Sequence, residues 1–125
     1  MRPMREGADK LAQGTIVWAD VKSPSGDVKR RPLVILTETT ESILDSPIVG
    51  VAITTSFPDP PDVGFVELPW DPRGHSATRL RRRSAAACRW LVSLLPGDVV
   101  EVKGYVPQRT LLEIVRRVRG LNAET

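Results

Sequence analysis

A chain of 125 residues with 41% apolar and 26% charged side chains is the size of one domain with a core of its own, not a disordered segment. A single cysteine, Cys88, excludes an internal disulfide and paired-cysteine zinc sites, and a single histidine, His75, excludes a histidine-rich metal cluster. The net charge of +3 is mild, but its arginines cluster; with no apolar leader in MRPMREGADKLAQG and no bilayer-length apolar run, a cytoplasmic, reducing location is expected.

Residues 1–12 are polar and aperiodic and hold Pro3 and Gly7, so they are expected to form a mobile tail before a single domain over 13–125. TIVWADV (15–21) predicts a strand with Ile16, Trp18 and Asp20 on one face and Val17, Ala19 and Val21 on the other. The polar stretch KSPSGDVKRR (22–31) reads as a loop feeding a second strand, PLVILTE (32–38). SPIVGVAITTS (46–56) is β-branched and long enough to be a central strand. FPDPPD (57–62) must leave the sheet, because its prolines bring no N–H to a ladder.

VGFVELP (63–69) predicts a fourth strand and WDPRGHSAT (70–78) a loop. In TRLRRRSAAACRWLVSL (78–94) the alanines favour helix while Trp90, Leu91 and Val92 favour strand, and it is read as strand. A turn at Pro96–Gly97 leads to VVEVKGYV (99–106), an alternating strand with a bulge at Gly104. The rest is an amphipathic helix, with Leu111, Ile114, Val115, Val118 and Leu121 at helical spacing and Gly120 helping to stop it. Six or so short strands, one terminal helix and no repeat predict a mainly β fold, a small twisted barrel or half-barrel closed by the helix.

Four groups of residues carry possible chemistry. Lys29, Arg30 and Arg31 precede Pro32, whose ring stiffens the chain there, so Arg31 can clamp a phosphate bidentately; a solvated charge run is the competing use. Thr54, Thr55 and Ser56 end a buried strand where hydroxyls can meet a phosphate, although threonine is also an ordinary strand residue. Arg79, Arg81 and Arg83 alternate on one face of an extended chain, with Leu80 and Arg82 on the other. Such a row suits a nucleic-acid backbone or, equally, an acidic protein partner. Trp18 and Trp90 lie in strand-like runs and read as core, whereas Trp70 at a loop start is the better platform for an unpaired base.

His75, in a loop, reads as an acid–base candidate or an exposed spectator, and Cys88, among alanines, as a small buried apolar residue. Asp20, Glu38, Glu67 and Glu101 are too scattered to form a carboxylate pair or a metal nest.

GTIVWADV, a polar loop, KRRPLVILTE and VAITTS together resemble the opening of the PemK/MazF toxin family: G-x-[IV]-x-x-[AV]-D, then R-P-x-[IVL]-[IVL], then an [IV]-T strand. RSAAACRWLVSLLPGDVVEVKGYVPQRTLLEIVRRVRGL is similar, more weakly, to its later strands and final helix, so the likeness runs over about residues 14–121. The resemblance implies an SH3-like barrel of the CcdB/PemK kind, a homodimer, and the toxin half of a type II toxin–antitoxin system. It implies an endoribonuclease that cuts single-stranded mRNA at short sequences, needs neither metal nor cofactor, and is restrained by an acidic antitoxin.

On this chain the implied catalytic residues are Arg31 and Thr54. They would position and neutralise a phosphate attacked by the neighbouring ribose 2′-OH. Lys29, Arg30, Thr55, Ser56, Trp70, Arg79, Arg81 and Arg83 are the candidate RNA contacts. The chain departs from the family where many members place an acid and an arginine, offering Cys88, Arg89 and Trp90 instead. That departure opens a second reading, a non-catalytic module that docks an acidic antitoxin peptide or RNA.

Overall fold

The computed structural model describes residues 11–23, 25–37 and 46–123. Residues 1–10 of the expected tail and Glu38 lie outside the described residues. Six strands form one antiparallel sheet: β1 (Thr15–Lys22), β2 (Val28–Ile35), β3 (Ile48–Thr54), β4 (Phe65–Leu68), β5 (Ser84–Leu94) and β6 (Val99–Tyr105), in the spatial order β4-β5-β3-β2-β1-β6. A 3₁₀ turn at Pro96–Asp98 links β5 to β6, and helix α1 (Gln108–Ala123) ends the fold. No helix among the described residues is long and apolar enough to cross a membrane.

The alternation along each strand decides which residues meet. Ile16, Val34, Val51, Val66 and Leu68 point to one side, where Leu111, Ile114 and Val118 of α1 cover them. Val17, Ala19, Val21, Leu33, Ile35 and Ala52 point to the other and close over Leu11, Ile48 and Leu94. Leu11 is only 4% exposed, so the core takes in a residue of the stretch expected to be mobile. Each fully buried aliphatic side chain contributes about 1.5–3 kcal/mol, which is why two covered faces suffice for a domain this small.

The sheet curls without closing, the half-barrel of the two expected forms. β4 and β6 share no ladder, and the 70–80 loop bridges between them. Asp71 N–H donates to the Leu80 carbonyl (3.0 Å), Thr78 Oγ1 donates to the Pro69 carbonyl (2.7 Å), and Tyr105 N–H donates to the Ala77 carbonyl (3.0 Å). Gly104 belongs to this seam, since a Cβ there would lie 2.4 Å from the Ala77 carbonyl oxygen. The extra residues that bulge β6 against β1 are its neighbour Lys103 and Val100, not Gly104.

Three other boundaries differ from the sequence reading. β2 begins at Val28, because Ser23 and Asp27 close a tight hairpin through Gly26, whose φ of 99° needs glycine. Lys29, Arg30 and Arg31 therefore sit on the strand, not in a loop. The arginine run 79–83 is not extended: Arg79 adopts φ 62° and β5 starts only at Ser84. Gly120 does not stop α1, which runs on to Ala123. Packing Leu121 against the core offsets the roughly 1 kcal/mol that glycine costs inside a helix.

Candidate functional site

The site arises where β2 and β3 part. Their ladder pairs Ile35 with Gly50, Val34 with Val51 and Leu33 with Ala52, then stops one residue short of Pro32, which has no N–H to contribute. Continued by two steps, that register would set Arg31 opposite Thr54. Thr54 stays paired with Ala85 of β5 on the opposite edge of β3, and on the β2 side the gap opens into a cleft of about 640 Å³ lined by Arg31, Pro32, Ile53 and Thr54. Trp18, the cross-strand partner of Pro32, and Trp90 add aromatic walls.

Arg31 is the unusual residue of the cleft. Its guanidinium carbon lies 5.0 Å from the centre of the Trp90 ring, and its Nε is buried with no hydrogen-bond partner. A desolvated cation–π contact is worth about 2 kcal/mol or more, and a buried donor without an acceptor costs about 1–3 kcal/mol. The two are of similar size, but a ring face supplies no acceptor to the Nε–H, so that donor stays unsatisfied. Such an unsatisfied donor at a cleft is what an anionic ligand would satisfy.

The hydroxyl of Thr54 accepts the Ser56 N–H (3.0 Å), a turn that presents Thr55 and Ser56, both exposed, at the rim. Arg30, Arg79, Arg81, Arg82 and Lys103 complete a cationic lining. Arg30 is paired with Asp20 (3.1 Å) and Lys103 with Glu101 (3.4 Å), whereas no ion pair engages Arg31, Arg79, Arg81 or Arg82 among the described residues. Among the described residues, no carboxylate and no imidazole lines the cleft.

Seven of the sequence candidates thus meet: Arg30, Arg31, Thr54, Thr55, Ser56, Arg79 and Arg81. Three do not line the cleft. Lys29 stands exposed opposite Val21, and Trp70, 42% exposed, lies elsewhere on the surface. Arg83 turns away: its Nε–H donates to Glu67 (2.6 Å), Nη2 reaches Asp59 (3.2 Å), and the group stacks 4.8 Å from the Phe57 ring. The hydrogen bond it donates to Glu67 raises its pKa above the ordinary arginine value.

Arg82, read as facing away from the arginine row, lines the cleft because the chain there is looped. Trp18, Trp90 and Lys103 are further lining residues that the sequence did not mark, the tryptophans having been read as core. A signal did exist for Trp18, which shares a strand face with exposed Asp20.

His75 lies outside the cleft, and its backbone N–H, with that of Arg73, is held by the Asp71 carboxylate. Chiefly through the His75 N–H, these bonds lower the pKa of Asp71. Cys88, 2% exposed, packs in the helix-facing core, and burial pushes its thiol pKa up. Arg89 is exposed, 3.9 Å from Asp62. Of the three residues at the departure, only Trp90 reaches the cleft.

No protein-family model and no curated protein matches the chain. Solved structures do. MazF-mt6, a toxin of Mycobacterium tuberculosis, superposes with a TM-score of 0.67 at 16% identity over 87% of this chain and 96% of its own. MazF from Deinococcus radiodurans gives 0.68 at 18% identity over 90% and 96%. A mycobacterial endoribonuclease in complex with its cognate antitoxin gives 0.67 at 15% identity over 91% and 96%. The chain has the MazF fold.

Proposed function

We propose that this chain is the toxin of a type II toxin–antitoxin pair, an endoribonuclease that cuts single-stranded RNA, with Arg31 and Thr54 at its reactive centre. The observation that carries this is the unpaired, half-buried guanidinium of Arg31 at the strand gap, across from the Thr54 hydroxyl, in a cationic cleft of a MazF fold. The implied attack is by a ribose 2′-oxygen on the adjacent phosphorus. The O2′–P bond forms as the P–O5′ bond breaks, the 2′-hydroxyl proton passes to solvent, and the 5′-oxygen leaves with a proton from solvent.

Arg31 neutralises the charge that builds on the non-bridging oxygens, and Thr54 donates a hydrogen bond to one of them. A 2′,3′-cyclic phosphate and a 5′-hydroxyl result, and DNA, lacking the 2′-hydroxyl, is not cut. Arg79, Arg81 and Arg82 would hold flanking phosphates. An acidic antitoxin segment would compete for the same cations, and the protein would work as a homodimer on cytoplasmic mRNA.

Incubation of the purified protein with a long RNA in EDTA tests this. Sequence-dependent fragments ending in cyclic phosphate, abolished by a 2′-deoxy substitution at the cut site, are the expected result. Among the described residues no carboxylate or imidazole lines the cleft, which favours a second reading, a binding module that does not cut. Intact RNA, retained oligonucleotide binding and normal growth on overexpression would establish that second reading and reject the first.

A further inference from the structure

Trp90 sits at a corner of β5. Val51 of β3 faces Leu91, yet Ile53 already faces Ala86, so residues 87–90 are gathered opposite Ala52 alone. On its other side the corner stays tied to β4, through the pairing of Phe65 with Ala87 and a bond from Cys88 N–H to the Gly64 carbonyl (2.8 Å). The ladder break turns Trp90 toward Arg31 on β2, a strand with which β5 shares no ladder. The ring stacks on this guanidinium, and Arg31 Nε keeps no hydrogen-bond partner among the described residues.

We propose that Trp90 is a positioning residue for the cleavage step, a platform that fixes the plane of the Arg31 guanidinium so that its free N–H groups meet the scissile phosphate; this rests on the ribonuclease reading. Arg83 shows why an aromatic suits the task. A carboxylate fixes Arg83 but occupies its Nε and Nη2 donors and neutralises its charge. A ring face fixes the plane of a guanidinium and leaves its edge open to an incoming phosphate. The indole thus takes a place near the strand gap where an acid would quench the arginine.

The test pairs steady-state cleavage of a short RNA with the ¹H–¹⁵N signal of the Arg31 Nε–H, assigned by its loss in Arg31→Lys. In the wild type that signal is expected to exchange slowly and to be shifted by the indole ring. Trp90→Phe keeps the shift and most of the cleavage. Trp90→Leu, which fills similar apolar space without a ring, loses the shift and lowers kcat about 10- to 100-fold with KM changed less than about twofold.

A Trp90→Leu variant that raises KM alone would make Trp90 a base-stacking surface and overturn the proposal. So would a variant that cuts like wild type, or an Arg31 signal indifferent to residue 90. Wild-type protein that leaves RNA intact overturns the ribonuclease reading, and the positioning role with it, even where the signal confirms the stack.

Discussion

Arg31 and Arg83 each lay a guanidinium over an aromatic ring, 5.0 Å from Trp90 in one case and 4.8 Å from Phe57 in the other. Arg83 also gives its donors to Glu67 and Asp59, and it ties the 57–62 loop to the end of β4. Arg31 has no such partner among the described residues, and its Nε is buried without one. The same stacking unit is therefore complete in one place and open in the other. From sequence Arg31 is a catalytic candidate and Arg83 an RNA contact, both expected to face a phosphate; acceptors within reach separate a structural arginine from one available to a ligand.

The largest expected effect follows from Arg31→Met. It should lower RNA cleavage by about 10²- to 10³-fold, the usual cost of losing one preorganised donor at a developing charge. Thermal unfolding should show equal or higher stability, by about 1 kcal/mol, because a buried unpaired N–H is removed. Arg83→Met should do the reverse, leaving cleavage within about twofold of wild type while lowering Tm slightly, an effect that high salt erases. A variant pair in which Arg83→Met abolishes cleavage and Arg31→Met does not would invert the comparison.

Gly104→Ala comes next. Its Cβ would collide with the Ala77 carbonyl, so the 70–82 loop that carries Arg79, Arg81 and Arg82 must shift. A loss of about 1–3 kcal/mol in denaturant unfolding is expected, with weaker RNA binding than the stability loss alone explains.

Smaller effects separate the cations inside the cleft from those outside it. Arg81→Gln and Arg82→Gln should each reduce the slope of log Kd against log salt by about 0.7–1, whereas Lys29→Gln and Trp70→Ala should leave it unchanged. The smallest effects concern pH. With no carboxylate or imidazole among the described residues that line the cleft, the cleavage profile should lack a bell between about pH 5 and 9, and His75→Ala should not alter it.

Asp71 has a folded pKa below its unfolded one, so its contribution to stability is fully present above about pH 4 and is lost as pH falls through the lower folded value. The protection of the His75 N–H relative to its intrinsic exchange rate should therefore be lost only in acid, and Asp71→Asn should reduce that protection at neutral pH.

Much of this architecture was readable from local pattern. Period-two alternation in TIVWADV and VGFVELP, the prolines of FPDPPD and the helical spacing of Leu111, Ile114 and Val118 each depend on a few adjacent residues, and each is matched in the sheet, the loop and α1. The strand reading of SAAACRWLVSL held because packing between β3 and β4 outweighs the alanines' helical preference. Arg31, Pro32 and Thr54 were also marked, by their order along the chain.

What the chain could not announce was how far apart strands would run. The end of the β2–β3 ladder, the corner that swings Trp90 onto Arg31 and the left-handed turn at Arg79 that brings Arg82 inward all depend on contacts between residues distant in sequence. Side-chain type and spacing determine which face a residue occupies, because the backbone repeat is local. Whether a cation there finds an acceptor is decided by register and by where strands separate, and those exist only once the sheet has curled.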